Sequence, residues 1–479
     1  MITFLVSIAV LIAGYFLYGK FIDVFFGSDS NRITPAVAKE DGMDYKVLSP
    51  WKIFIIQFLN IAGLGPIFGA VLGAAYGPVA YLWIVLGCIF MGAAHDYMSG
   101  MLSIRNDGKS LPDIVGHYLG KNIKRVMVFF TAILLMAVGA SFVNGPAGLL
   151  ANLTGINMHI WLYVIFIYYI MATMLPIDKI IGKIYPFMGG ALMFMALGIG
   201  GVLIFKGFSG EIHMTELTLD TLKNYRNNAN EYMIIPTMFI VISCGAISGF
   251  HATQSPMMAR CMKNEKYGRP VFYGAMIAEG IVACIWATAA MAFFNGPEGL
   301  NMANADGATP AIIVDRICHT WLGRIGAILA IIGVVVCPLT SGDTAFRSLR
   351  LIFADALNYD QKPIKNRLAM CIPIFIAAYI ICNISFSTLW NYVGIGNQTL
   401  AAITLWTCAA YFASVKKPHW IMSVPATFLS FICICFFLSA PAKDGGLNLP
   451  PQVGYITGAV IAALLLAIFI RFAGKRDKL

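Results

Sequence analysis

Two glycine-rich runs interrupt apolar segments long enough to cross a bilayer, Asn60-Ile-Ala-Gly-Leu-Gly-Pro-Ile-Phe-Gly69 and Ser243-Cys-Gly-Ala-Ile-Ser-Gly-Phe-His-Ala-Thr-Gln-Ser-Pro256. Backbone N–H and C=O groups cannot stay unpaired in hydrocarbon, so a helix broken at membrane depth is tolerated only where it is buried in protein or lines a cavity. Two such breaks, one opening each half of the chain, point to a ligand site built between them.

The composition leaves no room for a soluble domain: 59% of the residues are hydrophobic and 12% charged, and the mean hydropathy is +0.77. Windows of about 20 apolar residues predict thirteen spans, at 2–26, 51–75, 79–102, 124–151, 158–175, 185–206, 232–256, 270–294, 324–347, 367–385, 388–412, 417–440 and 451–472. The first has no basic stretch before it and no small-residue cleavage site, so it is expected to be a retained helix. Loop charge orients the set. Alternate loops (27–50, 103–125, 176–184, 257–270, 348–366, 413–419 and 473–479) hold 22 Lys and Arg, and the opposite loops hold 4. Basic residues collect on the cytoplasmic side, which sets the amino terminus outside and the carboxyl terminus inside. The same asymmetry accounts for the net charge of +10 and argues against nucleic-acid binding.

In that orientation segment 51–75 runs outward and 232–256 runs inward, and four spans follow each. The pattern is an inverted-topology repeat: an all-α polytopic membrane protein of leucine-transporter-like 5+5 architecture. An extra helix and cytoplasmic loop occupy 1–50, repeat 1 occupies 51–206, an external loop 207–231, repeat 2 232–412, and two further helices with a basic tail 413–479. Ser110-Leu-Pro-Asp113 reads as a capping box that starts a short cytoplasmic helix. Thr309 to Trp321 reads as an amphipathic external helix, either a lid or a connector.

Several runs together resemble the carbon-starvation protein A family: Trp51 to Gly77, Leu82-Trp-Ile-Val-Leu-Gly87, Gly92-Ala-Ala-His-Asp-Tyr97, Ser103-Ile-Arg-Asn-Asp-Gly-Lys-Ser110, the block Ser243 to Pro256, and Asp343 to Asp355. The resemblance covers most of the chain. It implies a bacterial inner-membrane carrier within the amino acid–polyamine–cation transporter superfamily, of a class associated with peptide uptake and with proton-coupled pyruvate uptake.

The residues support their own reading. Pro66 has no N–H, which frees the carbonyl of Ala62, while Gly63 and Gly65 allow close backbone approach to a ligand; close packing by small residues is the alternative. In the second run Pro256 frees the Ala252 carbonyl, and Gly245 and Gly249 permit unwinding. Ser248, His251, Thr253 and Gln254 supply donors, and a half-helix N-terminus suits a small carboxylate. His251 can instead carry a proton, its ordinary pKa being near neutral. Glu279 is the most deeply placed acid; a carboxylate at that depth costs several kcal/mol, so it is expected to face the bundle interior as a proton-coupling group. Cys337, Thr340 and Ser341 fall on one helical face. With the Ala62 carbonyl they would form an all-oxygen cation site of the kind the superfamily resemblance implies for Na⁺. Asp343 lies nearby, for a proton or for an ion pair with Arg347. His95 and Asp96, toward the cytoplasmic end of 79–102, read as a gate.

Enzyme motifs are missing: the chain has no H-E-x-x-H, C-x-x-C or G-x-S-x-G run, and Gly108-Lys-Ser110 lacks the first glycine of a phosphate loop. The expectation is therefore a symporter in the lipid bilayer, without an enzymatic activity or a cofactor and with H⁺ or Na⁺ as coupling ion, importing pyruvate-like carboxylates or short peptides. The other readings are a channel, or a membrane sensor or intramembrane enzyme using His95 and Asp96. The extra helices could line a homo-oligomer interface or brace the core.

Overall fold

The computed structural model describes residues 1–174, 181–384 and 386–476. Parts of the expected loop 176–184, the end of the expected span 367–385 and the last residues of the tail lie outside it. Apolar runs that meet no water must close their hydrogen bonds internally, and they do so as helices. The β pairing among the described residues is one isolated bridge, Leu48 with Met262.

In chain order the helices of eight or more residues are α1 (Ile2–Phe26), α2 (Pro50–Ala62), α3 (Gly65–Ala74), α4 (Val79–Arg105), α5 (Leu111–Leu119), α6 (Lys121–Thr154), α7 (Met158–Met174), α8 (Ile181–Phe208), α9 (234–241), α10 (Gly249–Ala259), α11 (Glu265–Phe293), α12 (Pro297–Ala305), α13 (Pro310–Leu357), α14 (Ile364–Ile381), α15 (Phe386–Ser414), α16 (Trp420–Ser439) and α17 (Pro451–Arg476). Every predicted span contains helix. Among the described residues nine helices are long and apolar enough to cross a membrane, or ten if the bent pair α2–α3 is one span, against thirteen predicted. The shortfall has structural causes. Helix α7 has 17 residues, the second interrupted segment is two short pieces, and α15 carries Asn397, Gln398, Thr404 and Thr407, all buried, so its polarity is turned inward.

Helices α2 and α10 lie at the centre, packed against each other and against α13, with α11 also on α2 and α4 also on α10. Helix α1 lies against α4 and α11, and α16 and α17 pack beside α15. Exposed Phe129, Phe187, Phe194, Leu197 and Phe205 make an apolar outer surface on α6 and α8, as a lipid-facing wall requires. Helix α13 turns at Gly323, where φ is 64°, so an amphipathic arm precedes its membrane part. Thr309 caps that arm at the Ile312 N–H, at 3.4 Å. At Ser110 the expected box closes between side chains, Ser110 Oγ donating to Asp113 Oδ2 at 3.1 Å, and no backbone N–H is capped.

The face bearing the basic loops is sealed. Lys46 N–H donates to the Arg260 carbonyl at 3.2 Å and Leu48 N–H to that of Cys261 at 3.1 Å, docking the loop before α2 onto the end of α10. Asp44 in that loop meets Arg347 at 3.6 Å and Arg350 at 3.4 Å. Burial alone would raise the Asp44 carboxyl, but Arg350, Arg347, Arg260 and Arg367 outweigh it and hold the group below its ordinary value. Arg260 also donates to the Gly108 carbonyl at 2.7 Å and pairs with Asp355 at 3.3 Å.

Candidate functional site

The first break begins where Ala62 ends α2. Gly63 takes φ 31° and ψ −140°, a conformation that L side chains rarely adopt, and an added Cβ would lie 2.9 Å from the Phe142 ring. Pro66 sits in the first turn of α3, which leaves at 52° to α2. The second break falls at residues 242–248, ahead of Pro256, which lies inside α10. Ser248 stands at the N-cap of α10, its side chain making no capping bond. The two breaks touch: a Cβ on Gly65 would lie 2.1 Å from Cys244 Cβ and 2.3 Å from its Sγ. Only glycine lets the chains pass this closely.

A cavity of about 150 Å³ opens beside this crossing. Gly65, Ser243 and Cys244 line it from the breaks, Val138 and Phe142 from α6, Phe250 from α10, and Trp390 and Asn397 from α15. Arg226, Tyr232 and Asp444 stand among its lining, so it opens toward the loops poor in Lys and Arg, opposite the sealed face. Phe142 and Phe250 meet edge to face across it, with centroids 6.0 Å apart.

Four ionisable side chains next to the crossing form one chain. Asp96 Oδ1 lies 2.8 Å from His95 Nδ1, Asp96 Oδ2 lies 2.9 Å from His251 Nδ1, and His251 Nε2 lies 3.6 Å from Glu279 Oε2. All four are fully buried. An ionised carboxylate only accepts, so Asp96 takes an Nδ1–H from each imidazole and leaves both Nε2 atoms for other partners. Among the described residues, His95 Nε2, His251 Nε2 and both Glu279 oxygens make no hydrogen bond, nor do the side-chain amides of Gln57 and Asn60 on α2. Neighbouring helical residues point about 100° apart, and His95 and Asp96 nevertheless meet, joining the expected gate pair to His251 and Glu279.

The expected cation stretch sits against the first break. Thr340 Oγ1 donates to the Cys337 carbonyl at 2.7 Å, and Ser341 Oγ donates to the Leu59 carbonyl at 2.9 Å, one turn before the Ala62 carbonyl named from sequence. Asp343 accepts from Tyr185 at 3.1 Å, and the same hydroxyl is 3.0 Å from the Thr340 carbonyl. Arg347 reaches Asp44 and the Ala172 carbonyl. Of the expected substrate residues, Gly65 lines the cavity; Gly63, Gly245, Ser248 and Gly249 shape the breaks. Thr253 and Gln254 face α13, where Ser348 Oγ donates to the Thr253 carbonyl at 3.0 Å. Sequence reasoning passed over Ser243 and Cys244, although both stand in the interrupted run. It also missed Phe142, Asn397 and Tyr185, which nothing local in the sequence marks.

A 43% identical membrane protein of Haemophilus influenzae, called uncharacterized, aligns over 355 residues, 64% of this chain and 95% of its own length. The peptide transporter CstA of Campylobacter jejuni is 24% identical over 88% of this chain and 78% of its own. The pyruvate/proton symporter BtsT of Escherichia coli is 26% identical over 59% of this chain and 48% of its own. Among solved structures, the manganese transporter of Eremococcus coleocola superposes with a TM-score of 0.56 at 13% identity, covering 91% of this chain and 99% of that one. The nucleobase-cation-symport transporter MHP1 gives 0.52 at 12% identity, covering 90% and 94%. These likenesses give the fold as leucine-transporter-like. The model of the family described as "Carbon starvation protein CstA" matches residues 1–154, 138–312 and 307–435, and the chain belongs to that family.

Proposed function

We propose that this chain is a proton-driven symporter that imports a small organic carboxylate of the pyruvate class, or short peptides, across the bacterial inner membrane by alternating access. The observation that carries it is the chain His95–Asp96–His251–Glu279 lying directly behind the crossing of the two broken helices. A transporter couples ion to substrate when both act on the same mobile element. Here α10 begins with a half-helix N-terminus beside the cavity and bears His251 within its first turn, so binding at the N-terminus and protonation beside it bias a single helix. The ring of Phe142 and the amide of Asn397 sit where a bound carboxylate's apolar and polar parts would lie. The amino terminus is outside, the cavity faces outward, and the Asp44–arginine cluster closes the cytoplasmic side. Relatives named for peptide transport and for pyruvate/proton symport support the substrate classes.

Sodium is the second reading. It is favoured by the Ser341–Leu59 bond, which brings hydroxyl and carbonyl oxygens from α13 and α2 together.

Proteoliposomes holding the purified protein test both. Labelled pyruvate should accumulate under an imposed proton gradient and be competed by substrate but not depend on sodium. Uptake that needs sodium and is lost in Thr340→Ala would replace the proton by sodium. Pyruvate inert under either gradient, with labelled dipeptide accumulating, would move the substrate to peptides.

A further inference from the structure

We infer that Cys244, His251 and Glu279 form a binding site for a divalent transition-metal ion of the zinc class, at the crossing of the two broken helices. All three side chains are buried, and one ligand atom from each lies within 4.8 Å of the other two. His251 Nε2 and Glu279 Oε2 are already 3.6 Å apart, close to the spacing of about 3.4 Å that bond lengths near 2.1 Å set between neighbours in a tetrahedron. Bringing the Cys244 thiol to the same spacing asks for a shortening of no more than about 1.2 Å in either distance.

Three features separate this trio from an ordinary packed cluster. The first is unused donor capacity: His251 Nε2 and both Glu279 oxygens make no hydrogen bond among the described residues. The second is the support behind the ligand. Asp96 holds His251 Nδ1 at 2.9 Å and is itself held by His95 at 2.8 Å, the carboxylate–histidine arrangement that fixes ring orientation and leaves Nε2 free for a metal. The third is access, because Cys244 lines the cavity, which gives an ion a way in and leaves a fourth coordination position for water or an anion.

The donor set fixes the class. One thiolate, one imidazole and one carboxylate suit zinc and its neighbours and disfavour magnesium and calcium, which take oxygen ligands. Binding displaces the thiol proton, so affinity falls as pH falls. Zinc would also occupy the atoms proposed above to carry the coupling proton; that consequence alone rests on the proposed coupling, and the binding itself does not.

The test is a titration of the full-length detergent-purified protein with Co²⁺ alone, followed by Zn²⁺. One Co²⁺ per chain with a thiolate-to-metal charge-transfer band, bleached by Zn²⁺, is expected. The band should vanish in Cys244→Ser, and affinity should fall at least 10-fold in Glu279→Gln. A band unchanged in Cys244→Ser, or no saturable Co²⁺ binding, overturns the site. Should the variants fail to fold, zinc-edge X-ray absorption on the unaltered protein decides it: one sulfur among light ligands supports the site, and a shell of nitrogen and oxygen alone overturns it. Zinc that binds this way without slowing proton-driven uptake leaves the metal site standing and removes the coupling role of His251 and Glu279.

Discussion

Glu279 and His251 stand 3.6 Å apart with every nearby carboxylate and imidazole buried, and a charge in such a place is tolerated only when a partner neutralises it. Moving one proton along the chain therefore changes which pair is charged, and that change is what a coupled carrier must feel. Replacing Glu279 by Gln keeps the shape and removes the titratable group. The variant is expected to keep substrate exchange between equal concentrations on both sides and to lose accumulation under a proton gradient by at least 10-fold; accumulation at the unaltered level would exclude Glu279 from coupling. Asp96→Asn removes the acceptor that both Nδ1 atoms share. It should lower gradient-driven uptake to a similar degree, and a measurable fall in counterflow as well would mark Asp96 as holding the site together.

At the scale of elements the crossing of α3 with the second break is a tight geometric demand. A methyl on Gly65 would enter the space of Cys244 Cβ and Sγ at 2.1 and 2.3 Å, while the Cys244 Cα stands 3.6 Å away. Gly65→Ala should therefore destabilise the protein by about 1–3 kcal/mol, the usual cost of overpacking, and reduce uptake. Adding Cys244→Gly removes both clashing atoms and leaves an ordinary contact, so the double variant should regain most of the lost thermal stability in a melting assay. If the second substitution worsens the melt, the helices do not cross at this pair. The breaks explain why neither segment stays a plain membrane helix. Gly63 supplies a rare φ, Pro66 withholds a donor, and residues 242–248 leave the helix before α10 restarts.

For the whole molecule the question is which face is shut. Asp44 ties the loop before α2 to Arg347 and Arg350 on α13, and Asp44→Asn would leave buried guanidinium groups without their counter-ion, a loss of about 3–5 kcal/mol for a buried pair. Its carboxyl lies below the ordinary value, so the stabilisation it gives is complete above about pH 4 and fades only as pH falls through the lower folded value. The difference in melting temperature between wild type and Asp44→Asn should accordingly stay constant from pH 5 to 8. Orientation has its own check: the eleven native cysteines are buried, but Cys244 shares the cavity with Asn391, so Asn391→Cys on a Cys244→Ser background should react with an impermeant thiol reagent added outside intact cells and be protected by substrate; reaction only from the cytoplasmic side would invert the assignment. The sequence by itself determined the membrane class, the helical fold and the position of the two breaks, because hydrocarbon permits few backbone solutions and glycine, proline and charge counts report them along one dimension. Only the tertiary structure decided that His95 and Asp96 join His251 and Glu279, that Ser341 meets the Leu59 carbonyl one turn before Ala62, and that Cys244 faces Gly65. Those contacts link helices more than 150 residues apart, and no local pattern of residues carries the angle and depth at which separate helices pack.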